Sequence, residues 1–201
     1  QLERLGVDYI DYYWLHGLGE PTYRQAEEMH AFEFVQEKKK EGKVKHIGLS
    51  FHDKAELLDE ILTKHPEMEY VQIQLNYLDW EDATVESRKC YEVATKHRKP
   101  VIVMEPVKGG NLVNLPQNAK SILEELHGGS PASYAIRFAA GFEGIMMVLS
   151  GMSDMAQMQD NISFMKEFQP LSDEEFAAVR KVQEIFQEDR WMTRHIIIYD
   201  S

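Results

Sequence analysis

Apolar and polar positions along the chain follow two alternating rhythms. Five short runs rich in β-branched and aromatic residues read as strands: Tyr9 to Leu15, Val44 to Leu49, Val71 to Leu75, Val101 to Met104 and Ile145 to Leu149. Between them apolar residues recur three and four positions apart, as at Leu58, Ile61 and Leu62, which marks one face of a helix. Met155, Met158, Ile162 and Met165 share a face in the same way, and this spacing predicts a helix that packs its methionine stripe on a sheet. Helix starts are written as Thr22-x-x-Gln25 and Ser172-x-x-Glu175, both of capping-box form, and as Ser130-Pro131. Strand and helix repeating in this order predict right-handed crossovers and a parallel sheet. The longest interval, between Val101 and Ile145, holds Lys108-Gly109-Gly110-Asn111 and two helix-like pieces.

Such a series fits an open doubly wound sheet or part of a closed barrel. The glycine fingerprint that normally follows the first strand of a dinucleotide-binding open sheet is missing, since Leu15 leads into His16-Gly17-Leu18-Gly19-Glu20. Polar or small residues instead close successive strands: His16, Ser50, Gln72, Glu105 and Ser150-Gly151. In a barrel these would meet at one mouth, where barrel active sites lie. The α/β chain is therefore expected to take the (β/α)8 TIM-barrel type. Its 201 residues are short for a whole barrel, which takes about 250. The chain also opens without methionine and almost directly into a strand-like run.

Charge and cysteine content narrow the chemistry. Twenty-two Lys and Arg against thirty-four Asp and Glu leave a formal charge of −12, so nucleic acid and anionic membranes are not expected partners. No apolar run is long enough to span a bilayer, and no signal peptide is recognisable, so a cytoplasmic location is expected. The single cysteine, Cys90, can form no internal disulfide and no cysteine-rich metal site, and no metal ligands are assigned.

Three positions have a functional reading beside a plain one. His16 at a strand end can donate to a polarised carbonyl or exchange a proton, but taken alone it reads better as a loop histidine. Ser150-Gly151-Met152-Ser153 leads a strand into a helix, where close backbone and the helix dipole suit a phosphate; an ordinary capped loop fits equally. Asn161, two turns on, either reaches back to that mouth or lies in solvent. Gln72 sits among apolar strand residues and needs partners, either another amide or a structural hydrogen bond inside the barrel.

Taken in order, the segments resemble the aldo-keto reductase superfamily. The resemblance is carried by Asp8-Tyr9-Ile10-Asp11-Tyr12-Tyr13-Trp14-Leu15-His16 and by Gly42-Lys43-Val44-Lys45-His46-Ile47-Gly48-Leu49-Ser50-Phe51-His52. Val71-Gln72-Ile73-Gln74-Leu75-Asn76-Tyr77, Met104-Glu105-Pro106-Val107-Lys108-Gly109-Gly110 and Ser150-Gly151-Met152-Ser153 running on to Asn161 complete it. It spans residues 1–190, about strands four to eight of the barrel with their helices, and leaves 191–201 as a tail. It is similar in flavour to a bacterial branch whose members often end in a cysteine-rich iron–sulfur segment. The implied activity is hydride transfer from NADP(H) or NAD(H) to a small carbonyl substrate, an aldehyde or ketone.

The resemblance also implies roles. His16 falls on the catalytic histidine that orients the carbonyl, and Ser50 and Gln72 fall on positions that hydrogen-bond the nicotinamide carboxamide. Met104 stands where many relatives stack an aromatic ring on the nicotinamide. Pro106, Val107 and Gly109 match the loop beside the pyrophosphate. Gly151, Met152, Ser153, Gln157 and Asn161 match the segment that holds the adenosine end and its phosphate.

There are departures. Phe51 replaces an asparagine that commonly contacts the carboxamide. Gln157 stands where several relatives place an arginine on the 2′-phosphate, which leaves NADP and NAD both open. The tail contains no cysteine, so no iron–sulfur cluster is expected in this chain. The family's aspartate, proton-donating tyrosine and lysine come from its first three strands, which nothing before His16 supplies. The chain alone is therefore expected to turn over poorly, and to self-associate through exposed barrel edges. The alternatives are a non-catalytic cofactor-binding or regulatory module and, ranked below it, an unrelated barrel lyase or isomerase.

Overall fold

A computed structural model describes residues 1–199. After a single turn α1 (Leu2–Leu5), the chain runs β1 (Ile10–Leu18), α2 (Glu20–Glu28), α3 (Ala31–Lys40), β2 (Val44–Phe51), α4 (Ala55–Lys64), β3 (Tyr70–Gln74) and α5 (Ser87–Lys96). It continues with β4 (Val101–Met104), a short 3-10 turn at Lys108–Gly110, α6 (Gln117–Glu124), α7 (Pro131–Ala140), β5 (Ile145–Val148), α8 (Met155–Met165) and α9 (Asp173–Tyr199). The expected boundary at residue 190 falls within α9. The side chains from residue 188 onward and residues 200–201 lie outside the described residues.

All five strands are parallel and stand in the order β1-β2-β3-β4-β5. A doubly wound sheet reverses its strand order part-way, whereas here every crossover advances in one direction, as in a (β/α)8 barrel. Each strand consequently has one face turned to helices and one turned to the barrel interior. Ile47, Leu49 and Phe51 of β2, Val71 and Ile73 of β3, and Val101 and Val103 of β4 are buried in the helix-facing core with Leu58, Ile61 and Leu62 of α4. Each such aliphatic side chain contributes about 1.5–3 kcal/mol by leaving water. The alternate residues face the interior. There Tyr12 stacks on His46 at 4.8 Å between ring centroids, and Trp14 meets Tyr70 edge-on.

Register fixes which interior residues are neighbours. Gly48 pairs with Trp14 on one side and Tyr70 on the other, Ser50 with Gln72, and Gln74 with Met104. β1 outruns its predicted end because a register shift after Leu15 lets Leu18 pair with Phe51.

Two helix expectations need correction. Thr22 does not cap α2 but lies within its first turn. Its Oγ accepts the Gly19 N–H at 2.9 Å and donates to the Gly17 carbonyl at 2.8 Å. The methionine stripe of α8 does not pack on the sheet. Met155, Met158, Ile162 and Met165 are exposed, Met155 by 66% and Ile162 by 54%. α8 docks on α7, and the residue it buries is Asn161. The caps at Ser130 and Ser172 form as the sequence predicts: Ser130 Oγ accepts the Ser133 N–H, and Ser172 and Glu175 exchange reciprocal bonds.

Candidate cofactor-binding site

The strand ends that the sequence marks as polar lie toward the same end of the parallel sheet. At the β1 end, Gly17 takes a left-handed φ of 71° that suits glycine, and its N–H donates to Ser50 Oγ at 2.7 Å. This bond moors His16 beside fully buried Ser50. His16 itself is exposed, and its ring lies 6.4 Å from that of His52. Burial and the neighbouring His16 both push the His52 imidazole below its ordinary value, which favours the neutral form.

Gln72, next along the row, is 8% exposed. Its Nε2 donates to the Met104 Sδ at 3.4 Å, while its Oε1 is buried with no partner. A buried amide oxygen left unpaired costs about 1–3 kcal/mol, and such an orphan suits an incoming amide N–H.

A groove of about 510 Å³ lies at the ends of β4 and β5. The loop after β4 forms one wall with Pro106, Val107 and Gly109, and the turn from β5 into α8 forms the other with Gly151, Met152 and Ser153. Gln157 and Asn161 of α8 join the second wall. Eight of the residues singled out in the sequence thus share one cleft. Ser50, Gln72 and Met104 stand in a row on the neighbouring strands, and His16 at its far end. His16 is not part of the groove wall.

Asn161 reaches back to the mouth, donating from Nδ2 to Ser150 Oγ at 2.7 Å. The Gln157 Oε1 accepts the Ser153 N–H at 2.7 Å, while the Gln157 N–H goes to the Asp154 carboxylate at 2.8 Å. The α8 N-terminus is therefore already capped by an anion. Nothing lies within 4 Å of where a Cβ would sit on Gly109 or Gly151, so backbone is open at both walls.

Sequence reasoning missed what holds the first wall. Glu105 and Lys108 both take left-handed backbone, φ 56° and 49°, a conformation costing about 1–2 kcal/mol for a residue with a side chain. They are fixed from the loop after β3. Asn76 Nδ2 donates to the Glu105 carbonyl at 2.9 Å, and Lys108 Nζ meets Asp79 Oδ1 at 2.5 Å. The Asp79 side chain is 1% exposed and also accepts from Gln74 at 2.7 Å and Asn76 at 2.6 Å. Asn76 Oδ1 in turn accepts the backbone N–H groups of Leu78 and Asp79. Gln74, Asn76 and Asp79 in an otherwise apolar stretch were the signal. Glu105 and Asp160, which also border the groove, were not singled out as ligand contacts either.

The family model of the Aldo/keto reductase family matches residues 1–184. The chain belongs to the aldo/keto reductase family. The aldo-keto reductase AKR11C1 from Bacillus halodurans is similar in its apo form, with 26% identity and a TM-score of 0.68 over 90% of this chain and 64% of that one. Its holo form gives 25% identity and a TM-score of 0.67, over 90% and 63%. An aldo/keto reductase from Brucella melitensis, 20% identical with a TM-score of 0.67 over 90% and 64%, shares the fold. The chain spans less than two thirds of the length of these relatives. A comparison with curated protein sequences returned no significant match. Among the described residues, no helix is long and apolar enough to cross a membrane.

Proposed function

We propose that this chain carries the cofactor side of a nicotinamide-dependent carbonyl reductase acting in the reducing cytoplasm. The observation that carries the reading is the continuity of the site: an orphaned amide acceptor at Gln72 leads by way of Met104 to an open groove walled by glycines. The dinucleotide, NAD(H) or NADP(H), would be held with its carboxamide at Ser50 and Gln72. Met104 would pack on the ring, and Pro106, Val107 and Gly109 would flank the pyrophosphate. Gly151, Met152, Ser153, Gln157 and Asn161 would hold the adenosine end. Bound there, the cofactor supplies a hydride to the carbonyl carbon of a small aldehyde or ketone.

The protein's own part in this chemistry is orientation and proton handling. Ser50, held by the Gly17 N–H, stays buried and fixed in position, so a carboxamide meets a preset partner rather than a mobile one. His16, next to the Gly17 N–H that binds this serine, would donate a hydrogen bond to the substrate oxygen. Burial raises the phenols of Tyr70 and Tyr77 and keeps them protonated, and Lys108 is committed to Asp79. None of these three is set up as an acid–base partner. That favours a second reading for the chain in isolation, a cofactor-binding module without turnover.

Titration separates the readings. NADH and NADPH fluorescence is expected to change on binding, and Gln72→Leu is expected to weaken the tighter dinucleotide about tenfold by removing the amide partner. Carbonyl-dependent oxidation of the reduced cofactor by the 201-residue chain is expected to be slow. A rate normal for such enzymes sinks the second reading, and no binding of either dinucleotide sinks both.

A further inference from the structure

The charge around the groove bears on which dinucleotide it takes, an inference that rests on the reading just given. A 2′-phosphate brings about −1.5 to −2 charges and needs cations or several unpaired N–H groups to receive it. Among the described residues that border the groove there is no lysine or arginine, while Glu105 and Asp160 are both carboxylates. The cation of the bordering loop, Lys108, is turned into buried Asp79 at 2.5 Å. The α8 N-terminus, which would otherwise favour an anion, holds Asp154 as its own cap. Gln157, the longest polar side chain on that wall, has its Oε1 bound to the Ser153 N–H.

We infer that the groove selects NAD(H) over NADP(H), because its described border offers a 2′-phosphate carboxylates and no cation. A carboxylate beside a ribose accepts its 2′-hydroxyl and repels a 2′-phosphate. Asp160 already accepts a hydroxyl, that of Ser130 at 2.6 Å, which keeps it fixed at the groove wall. Two features of NAD(H) binding follow. The preference is electrostatic, so added salt narrows it by screening. It also lies on the adenosine side, so fragments lacking nicotinamide display it too.

Calorimetric titration of the 201-residue chain with NAD⁺, NADP⁺, 5′-AMP and adenosine 2′,5′-bisphosphate tests this. NAD⁺ is expected to bind at least about tenfold tighter than NADP⁺ at low salt, with the same order between the two fragments. The double variant Asp154→Ser, Gln157→Arg keeps a good helix cap and adds a cation, and NADP⁺ is expected to gain about tenfold in it. Equal or tighter binding of NADP⁺ by the natural chain overturns the inference and leaves the proposed function standing. Binding of neither dinucleotide removes both. A preference unmoved by the double variant overturns the assignment to α8.

Discussion

A methyl group added at Gly48 would lie 2.6 Å from both the carbonyl oxygen and the ring of Tyr70, inside any tolerable contact. Gly48 is there because Tyr70 needs the space on the interior face of β2, and that ring in turn meets Tyr12 and Trp14. Backbone cannot yield as a flexible side chain does, so Gly48→Ala is expected to cost about 3 kcal/mol, read as a lower urea midpoint with an unchanged slope. Loss of less than about 0.5 kcal/mol would mean that the strands slide apart freely. The identity of a single residue here records the size of its neighbour across the sheet. A sequence lists both residues without saying that they touch.

At the level of elements, Arg137 of α7 is the fastening between α7 and α9. Its guanidinium holds the Glu175 carboxylate through two bonds of 2.7 and 2.8 Å and donates to the carbonyls of Gln169 and Pro170. Burial pushes the Glu175 carboxyl up, but Arg137 and the Ser172 N–H outweigh it, so its net position is below the ordinary value. A carboxyl depressed on folding adds stability above its unfolded value, and that share is lost as pH falls through the folded one. Arg137→Met is expected to cost about 3 kcal/mol near pH 7, and the gap to the natural chain should shrink as acid takes the pH below about 4. Denaturation curves at both pH values check it, and a gap independent of pH counts against the ion pair.

The same scale shows what the sequence made legible. Val101 to Met104 forms a strand over its predicted bounds, because a run buried on both faces has no polar position to blur its ends. Ser130 and Ser172 cap as read, since capping chemistry is local. Thr22 was misplaced because Gly19, which has no side chain to announce a cap, starts the helix. The α8 stripe misled because periodicity tells that a face is apolar, and only tertiary structure tells what lies against it. Likewise Glu105 and Ser150-Gly151 at the groove were readable from strand ends and the rest of its walls from the family resemblance, whereas the Asp79–Lys108 link joins two loops far apart in sequence.

For the whole molecule, the sheet has β1 and β5 as its edges among the described residues, and Met147 and Leu149 at the second edge are exposed along with the α8 stripe. Unpaired strand edges beside apolar surface favour association, while a charge of −12 opposes it. Self-association is therefore expected to strengthen with salt, visible in sedimentation velocity as a concentration-dependent shift that grows between low and high ionic strength. A single monomeric species at every concentration and salt level would remove the expectation.

The buried aspartate at position 79 works as a rivet through two loops at once, one leaving β3 and the other leaving β4. Neither loop can loosen without stranding a charge in a dry place, so their openings are one event rather than two. Deuterium uptake should then rise in residues 76–79 and 105–108 together when Asp79 is changed to Ala, and fall in both together when a dinucleotide is added.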